Sequence, residues 1–293
     1  MIDLEHEAII KSVCSKVFAV DEGYISMVER LMGGMSNYTY IIKVKDTKYT
    51  FRIPGKNAEQ FVNREQEAYH LKLIEPLKLN NDTIFIDSET GYKIAKYIEG
   101  TPMHLKNPLD YLEAASETLK KIHHSTISSK FDYAPFERLE KYERLVKAYD
   151  FKHDNQYLNY KNTLLSYKPF LDTFAHTLCH GDSQISNFVI TDNSLKLMDW
   201  EFTANNDPFY DIACFGNNDF THAEALLPIY LGHEPTKEAW NRLYLWRTFQ
   251  CLQWHNVALY KDFIGLSEAL SIDFKKVADM YLDKASTLLR KLK

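Results

Sequence analysis

Leu178-Cys-His-Gly-Asp-Ser-Gln-Ile-Ser-Asn-Phe-Val-Ile-Thr191, followed by Leu195-Lys-Leu-Met-Asp-Trp-Glu201, is a small β island in a region that otherwise reads as helix. Apolar runs at Leu178–Cys179, Asn187–Thr191 and Leu195–Met198 predict three short strands. The first delivers a polar loop that opens with His180, and Asn187 starts the second. Helical spacing of apolar residues surrounds the island: Leu109–His123, Pro135–Tyr149, Tyr157–Phe174, Ala223–Tyr230, Lys237–Tyr260 and Asp273–Lys291.

The N-terminal third has a different texture. A helix over Leu4–Val20 precedes β-branched and aromatic runs at Tyr24–Leu31, Tyr38–Val44 and Tyr49–Ile53. Gly33-Gly34 and Asp46-Thr47 are the turns between them, and Pro54-Gly55 ends the series. A helix over Glu59–Leu73 and two strands, Thr83–Asp87 and Tyr92–Ile98, complete it, with Gly100-Thr-Pro102 as connector. Strands with one helix, then helices around a hairpin, make an α+β layout of two lobes rather than the β-α alternation of a doubly wound sheet. The expected division is a small β-rich lobe over residues 1–98 and a larger, mainly helical lobe over 99–293, with a cleft between lobes as the natural place for a ligand.

Composition excludes several classes. The chain has 293 residues, 45% hydrophobic, and a formal net charge of -5, so no basic footprint for nucleic acid exists. Cys14, Cys179, Cys214 and Cys251 form no CxxC pair, which argues against structural zinc or a disulfide framework. The N-terminus lacks the basic and apolar regions of a signal peptide, and no apolar run is long enough to span a membrane. A soluble cytoplasmic protein with buried, reduced thiols is expected.

The chemistry lies in His180-Gly-Asp182-x4-Asn187 and in Asp199, twelve residues further on. Phosphoryl transfer from ATP needs a divalent metal to bridge phosphates and a carboxylate to orient the attacking hydroxyl. Magnesium takes oxygen ligands, few of them from protein. The Asn187 amide oxygen and the Asp199 carboxylate, on adjacent strands, suit that role; Asp182 suits the hydroxyl. His, Asp and Asn also recur in loops as turn formers, but the whole string with a downstream apolar-apolar-Asp is far more specific. His180 reads as a brace of the loop.

These stretches, with Leu31-Met-Gly-Gly-Met-Ser-Asn37, Phe51-Arg-Ile-Pro-Gly55, Asn63-Arg-Glu-Gln-Glu67, Tyr97-Ile-Glu-Gly100, Asp199-Trp-Glu201 and Asn206-Asp-Pro-Phe-Tyr-Asp-Ile-Ala213, resemble the choline/ethanolamine kinases, a branch of the aminoglycoside phosphotransferase-like kinases. The resemblance covers nearly the whole chain. It implies a protein-kinase-like fold binding ATP and Mg2+ between its lobes. On it, Gly33, Gly34, Ser36 and Asn37 lie beside the ATP phosphates, Arg52 contacts them, Glu67 is the ion-pair partner of Arg52, and Tyr97 and Ile98 meet adenine through backbone groups. The residues alone also permit a plain hairpin at Gly33-Gly34 and a surface pair through Arg64 and Glu65. Asp211 is expected to brace the catalytic loop.

The resemblance also implies an acceptor site, here incomplete. A quaternary ammonium favours aromatic faces. Family members place two Trp three apart on a late helix; this chain has Trp246 and Trp254, and only Trp254 matches. Where the family has Phe-x-Glu, the run is Phe215-Gly-Asn-Asn-Asp219, and the Tyr expected after Glu201 is Phe202. Asp182, Gln184, Glu201, Phe202, Asp219 and Trp254 are therefore the candidate acceptor residues. The expected reaction is phosphorylation of choline, with ethanolamine, thiamine, a sugar or an aminoglycoside as other acceptors and an inactive kinase-fold binding protein as the remote alternative.

Overall fold

The computed structural model describes residues 3–31 and 37–292. Gly33, Gly34 and Ser36, expected beside the ATP phosphates, lie outside the described residues. The chain forms two compact units, Met1–Lys106 with Ser186–Thr203, and Asn107–Ile185 with Ala204–Lys293. The sequence reading put the division at 98/99; residues 186–203 instead cluster with the N-terminal segment.

In the first unit, helix α1 (Leu4–Phe18) starts where Asp3 accepts a hydrogen bond from Glu5 N at 2.9 Å. It covers an antiparallel sheet of β1 (Ile25–Leu31), β2 (Asn37–Val44), β3 (Thr47–Pro54), β4 (Thr83–Ile86) and β5 (Lys93–Lys96), in the order β1-β2-β3-β5-β4. Alternation sends Tyr40, Ile42, Val44, Phe51, Ile53 and Ile94 into one core with Ile10 and Cys14 of the helix. The β3–β5 register sets Arg52 opposite Lys93. Helix α2 (Arg64–Leu73) begins later than Glu59: Asn63 Oδ1 accepts from Gln66 N at 3.1 Å and caps it there, while Ala58–Gln60 makes a single 3-10 turn. A second sheet joins β6 (Thr101–Pro102), β8 (Phe188–Ile190) and β9 (Leu195–Leu197).

The second unit holds α3 (Leu112–His123), α4 (Pro135–Lys147), α5 (Asn155–Ser166), α6 (Lys168–Leu171), α7 (Phe209–Phe215), α8 (Thr221–Leu231), α9 (Lys237–Phe263), α10 (Leu266–Leu270) and α11 (Phe274–Leu289). One antiparallel pair, β7 (Thr177–Cys179) with β10 (Ala204–Asn206), completes it. Helix α9 is buried almost continuously from Leu243 to Lys261, so it is enclosed on more than one face and serves as the central helix of this unit. The helix expected over Tyr157–Phe174 is broken after Ser166, because Pro169 has no N–H for the i→i−4 ladder and instead sits in the first turn of α6. Strands β6 and β10 and helix α7 were not expected; each is too short to display a period.

Gly100 shows how closely β8 is held. A Cβ there would lie 2.6 Å from Ile190 O and 2.7 Å from Val189 Cγ1. Gly100→Ala should destabilise the protein by about 1–3 kcal/mol through this overpacking; an unchanged urea midpoint would show that β6 and β8 can separate freely.

Candidate active site

In the first unit, the β8–β9 hairpin places Asn187 and Asp199 together. Phe188 pairs with Leu197, and Met198 N donates to Asn187 O at 2.8 Å, so Asn187 and Asp199 flank the last bonded rung at the open end. Asp199 has a left-handed backbone, φ 66, a conformation that Asp tolerates better than most residues. Burial, with the Glu201 carboxylate beside it, pushes the Asp199 pKa up to about 7, against the opposing pull of Lys93 and Arg52. Its negative charge is thus poorly compensated by protein groups. An amide oxygen and an under-compensated, half-buried carboxylate form a donor set that fits a hard divalent cation.

Beside this pair lies a buried network of charges. Arg52 on β3 donates from Nη2 to Glu67 Oε2 at 2.8 Å and to Gly91 O at 3.0 Å. Arg64 Nη1 reaches Glu67 Oε2 and Glu201 Oε2, both at 2.8 Å. Lys93 Nζ stands 3.3 Å from Glu67 Oε1, and Asn37 Nδ2 donates to Glu201 Oε2 at 3.1 Å. Burial alone would push the Glu67 pKa up, but Lys93, Arg52 and Arg64 together hold it far below the ordinary carboxylate range. Arg64 is therefore buried in this network and makes no surface pair with Glu65. The Arg52 Nε atom is buried and has no hydrogen-bond partner among the described residues.

In the second unit, Asp211 organises the loop that carries Asp182. Its carboxylate accepts from His180 N at 2.7 Å, Gly181 N at 2.9 Å and His123 Nε2 at 3.0 Å, and its carbonyl accepts from Ser183 Oγ at 2.7 Å. Burial opposes ionisation of Asp211, yet His123 and these donors hold its pKa below normal. His180 Nδ1 accepts from Asp182 N at 3.2 Å, the bracing geometry anticipated for that histidine. His123, Cys179 and Asp211 present atoms within 4.8 Å of one another. Both His123 nitrogens are engaged, by Asp211 and by Tyr230 OH at 2.9 Å, so the cluster is a hydrogen-bonded brace and not a metal centre.

Asp182 is buried, and Gln184 Nε2 donates to its Oδ2 at 3.1 Å. The remaining expected residues are spread along the chain. Ile98 has no hydrogen-bond partner among the described residues, whereas Tyr97 N donates to Lys48 O at 3.2 Å. Glu201 sits in the charge network with Arg64, and Phe202 next to it is buried. Asp219 is exposed and accepts from Thr221 N at 3.0 Å and Thr221 Oγ1 at 2.7 Å. Trp246 is core, its Nε1 donating to Asp207 Oδ2 at 2.6 Å, while Trp254 is the half-buried member of a buried stretch of α9. Sequence reasoning did not single out Arg64 or Lys93; the Asn63-Arg-Glu-Gln-Glu67 stretch held one signal, and Lys93 in a half-apolar strand the other.

A family model described as choline/ethanolamine kinase matches residues 28–238. The chain belongs to the choline/ethanolamine kinase family. Protein LicA of Haemophilus influenzae is 25% identical over 187 residues, 62% of this chain but only 55% of that protein, so the match spans just over half of that relative's length. The crystal structure of choline kinase LicA from Streptococcus pneumoniae superposes with TM-score 0.78 at 25% identity, covering 98% of this chain and 99% of that one. LicA in complex with AMP superposes with TM-score 0.77 at 24% identity, covering 99% and 100%. The fold is thus kinase-like, of α+β class with a β-rich part and a larger helical part. The family match stops at residue 238, so nearly all of α9, with Arg247 and Trp254, lies beyond it.

Within this choline/ethanolamine kinase fold, Glu67 is the residue most exposed to a charge-removing change. Glu67→Gln leaves Arg52, Arg64 and Lys93 crowded without their common anion, a loss of about 3 kcal/mol at pH 7. A depressed pKa contributes stability above the ordinary carboxylate range and loses it as pH falls. The stability gap between wild type and variant should therefore be full at pH 7 and narrow steadily below about pH 4; a gap independent of pH in urea titrations would rule this out.

Proposed function

We propose that this chain transfers the γ-phosphoryl group of ATP to the hydroxyl of a small amino alcohol, with choline as the favoured acceptor. The observation that carries the reading is the pairing of Asn187 with the half-buried, under-compensated Asp199 at one hairpin end, five residues after Asp182, in a chain of the choline/ethanolamine kinase family. ATP as donor assigns the reaction to the cytoplasm; among the described residues no helix is long and apolar enough to cross a membrane.

Asn187 and Asp199 would hold Mg2+. When bound, the metal supplies charge that neutralises the phosphate oxygens. Arg52 Nε, which has no partner among the described residues, would donate to a phosphate oxygen, while the Nη groups are held by Glu67 and Gly91. Ile98, whose backbone has no partner among the described residues, and the carbonyl of Tyr97 would meet adenine; Asn37, with Gly33, Gly34 and Ser36, would line the phosphates. Asp182 would orient the acceptor hydroxyl and take its proton. Trp254 offers an aromatic face to the cationic end, in which role the affinity gain is about 1–2 kcal/mol. The bonds that Glu201 makes to Arg64 and Asn37 favour a place with the ATP-side residues over one at the acceptor.

Assay of ADP release over choline, ethanolamine, thiamine, a sugar and an aminoglycoside tests this directly. Choline should give the highest kcat/KM; a preference for the sugar or aminoglycoside would overturn the acceptor assignment. Failure of MgATP to raise the melting temperature would point to a binding protein instead. Asp182→Asn should lower kcat by about 100-fold or more with ATP affinity intact. Trp254→Ala should raise the acceptor KM about tenfold and leave the ATP KM alone; equal effects on both would make Trp254 a packing residue only.

A further inference from the structure

Arg247 on α9 is 1% exposed, and among the described residues no carboxylate forms an ion pair with it. A buried arginine normally has a counter-ion. Arg247 instead donates to amides: Nη1 to Gln250 Oε1 at 2.9 Å, and Nη2 to Asn217 Oδ1 at 2.8 Å and Asn217 O at 3.1 Å. From Asn217 the bonds continue in one direction. Asn217 Nδ2 donates to Gln184 Oε1 at 2.9 Å, and Gln184 Nε2 donates to Asp182 Oδ2 at 3.1 Å. The negative charge belonging to Arg247 thus sits two amides away.

We propose that Arg247 is a positioning residue for Asp182, acting through the relay Asn217–Gln184. A guanidinium only donates. Asn217 must therefore turn its oxygen towards Arg247 and its NH2 towards Gln184, and Gln184 in turn must present its oxygen to Asn217 and its NH2 to Asp182. The ionised Asp182 carboxylate only accepts, so both ends of the relay demand the same polarity; without Arg247, Asn217 loses the donor that anchors its oxygen, and Gln184 loses the fixed neighbour that holds its amide against Asp182. The relay thus ends on a directed N–H donor to Oδ2 of Asp182, which sets the rotation of that carboxylate. The Cys214 thiol, a weak donor, lies 3.6 Å from the other oxygen, Oδ1. Lys284 Nζ, which donates to Asn217 O at 3.1 Å, holds the backbone end of the same residue. Neither Arg247 nor Lys284 belongs to the part of the chain that the family model matches.

The inference rests on Asp182 being the group that receives the hydroxyl proton, and the test separates the two. Steady-state kinetics are measured for Arg247→Met, Arg247→Lys, Gln184→Met, the double variant Arg247→Met/Gln184→Met, and Asp182→Asn. Arg247→Met and Gln184→Met should each lower kcat by about 10- to 100-fold with the ATP KM unchanged. The double variant should be no slower than the slower single one, because both cut the same relay. Arg247→Lys, still donor-only, should recover most of the lost kcat. Losses that multiply in the double variant, or a normal kcat in Gln184→Met, overturn the relay while leaving Asp182 in place. If Arg247→Met fails to fold, Gln184→Met and Arg247→Lys decide the matter alone. An active Asp182→Asn removes both the base and the relay.

Discussion

The carboxylate of Glu67 is the point on which the first unit turns. It is fully buried, yet three cations from three different elements close on it: Arg52 from β3, Arg64 from its own helix α2, and Lys93 from β5. Arg64 then carries the connection to Glu201, beyond β9 and more than a hundred residues later in sequence. Each of these charges would be prohibitively costly to bury alone. None can be relocated without stranding the others, so the network fixes the helix against the sheet and the sheet against the segment that bears Asp199. The apolar core of Phe51, Ile53 and Ile94 supplies adhesion, but it is non-directional. The ionic cluster specifies which way α2 faces.

The second unit meets the same requirement with hydrogen bonds to a single acid. Asp211 takes two successive backbone N–H groups of the loop at His180 and Gly181, as a ligand would, and is itself held by His123. A loop constrained at both N–H groups cannot rearrange locally, so Asp182 inherits its position from a residue on α7. In both units the carboxylates proposed for the reaction are located by neighbours whose own hydrogen bonds are made to other protein groups. That division of labour is what a phosphoryl-transfer site needs, since positioning and electrostatics supply nearly all of the rate.

Much of this was legible in the sequence, for identifiable reasons. The strands of the first sheet were readable because β-branched and aromatic residues alternate there, and the His180–Asn187 string because its spacing is chemically restrictive. The bond between Arg52 and Glu67 followed from family resemblance, and the structure has it at 2.8 Å. What escaped was of two kinds. Elements of two or three residues, β6 and β10, carry no period at all. Side-chain partnerships across long separations, such as Arg64 with Glu201 or Arg247 with Asn217, leave no local trace, because nothing in the sequence distinguishes a buried arginine from a solvated one. Helix ends fell between: Asn63 as the cap of α2 and Pro169 as the break before α6 were visible residues whose effect depends on competing with an otherwise continuous apolar pattern.

The path of the chain through its two units constrains how the protein can be made. Synthesis releases Met1–Lys106 first, but that unit still lacks β8 and β9, which arrive only with Ser186–Thr203 after some eighty residues of the second unit have emerged. Glu201, the far anchor of the ionic cluster, arrives later still than the strands. During that interval Arg64 has Glu67 and Asn37 to face but not Glu201, and the sheet edge that β8 offers to β6 does not exist. The first unit must therefore wait, partly assembled, for a segment translated in the middle of its neighbour, and the second unit cannot close until Ala204–Lys293 follows. Vectorial translation thus couples the maturation of the two units, and neither can be cut out of the chain as one continuous piece.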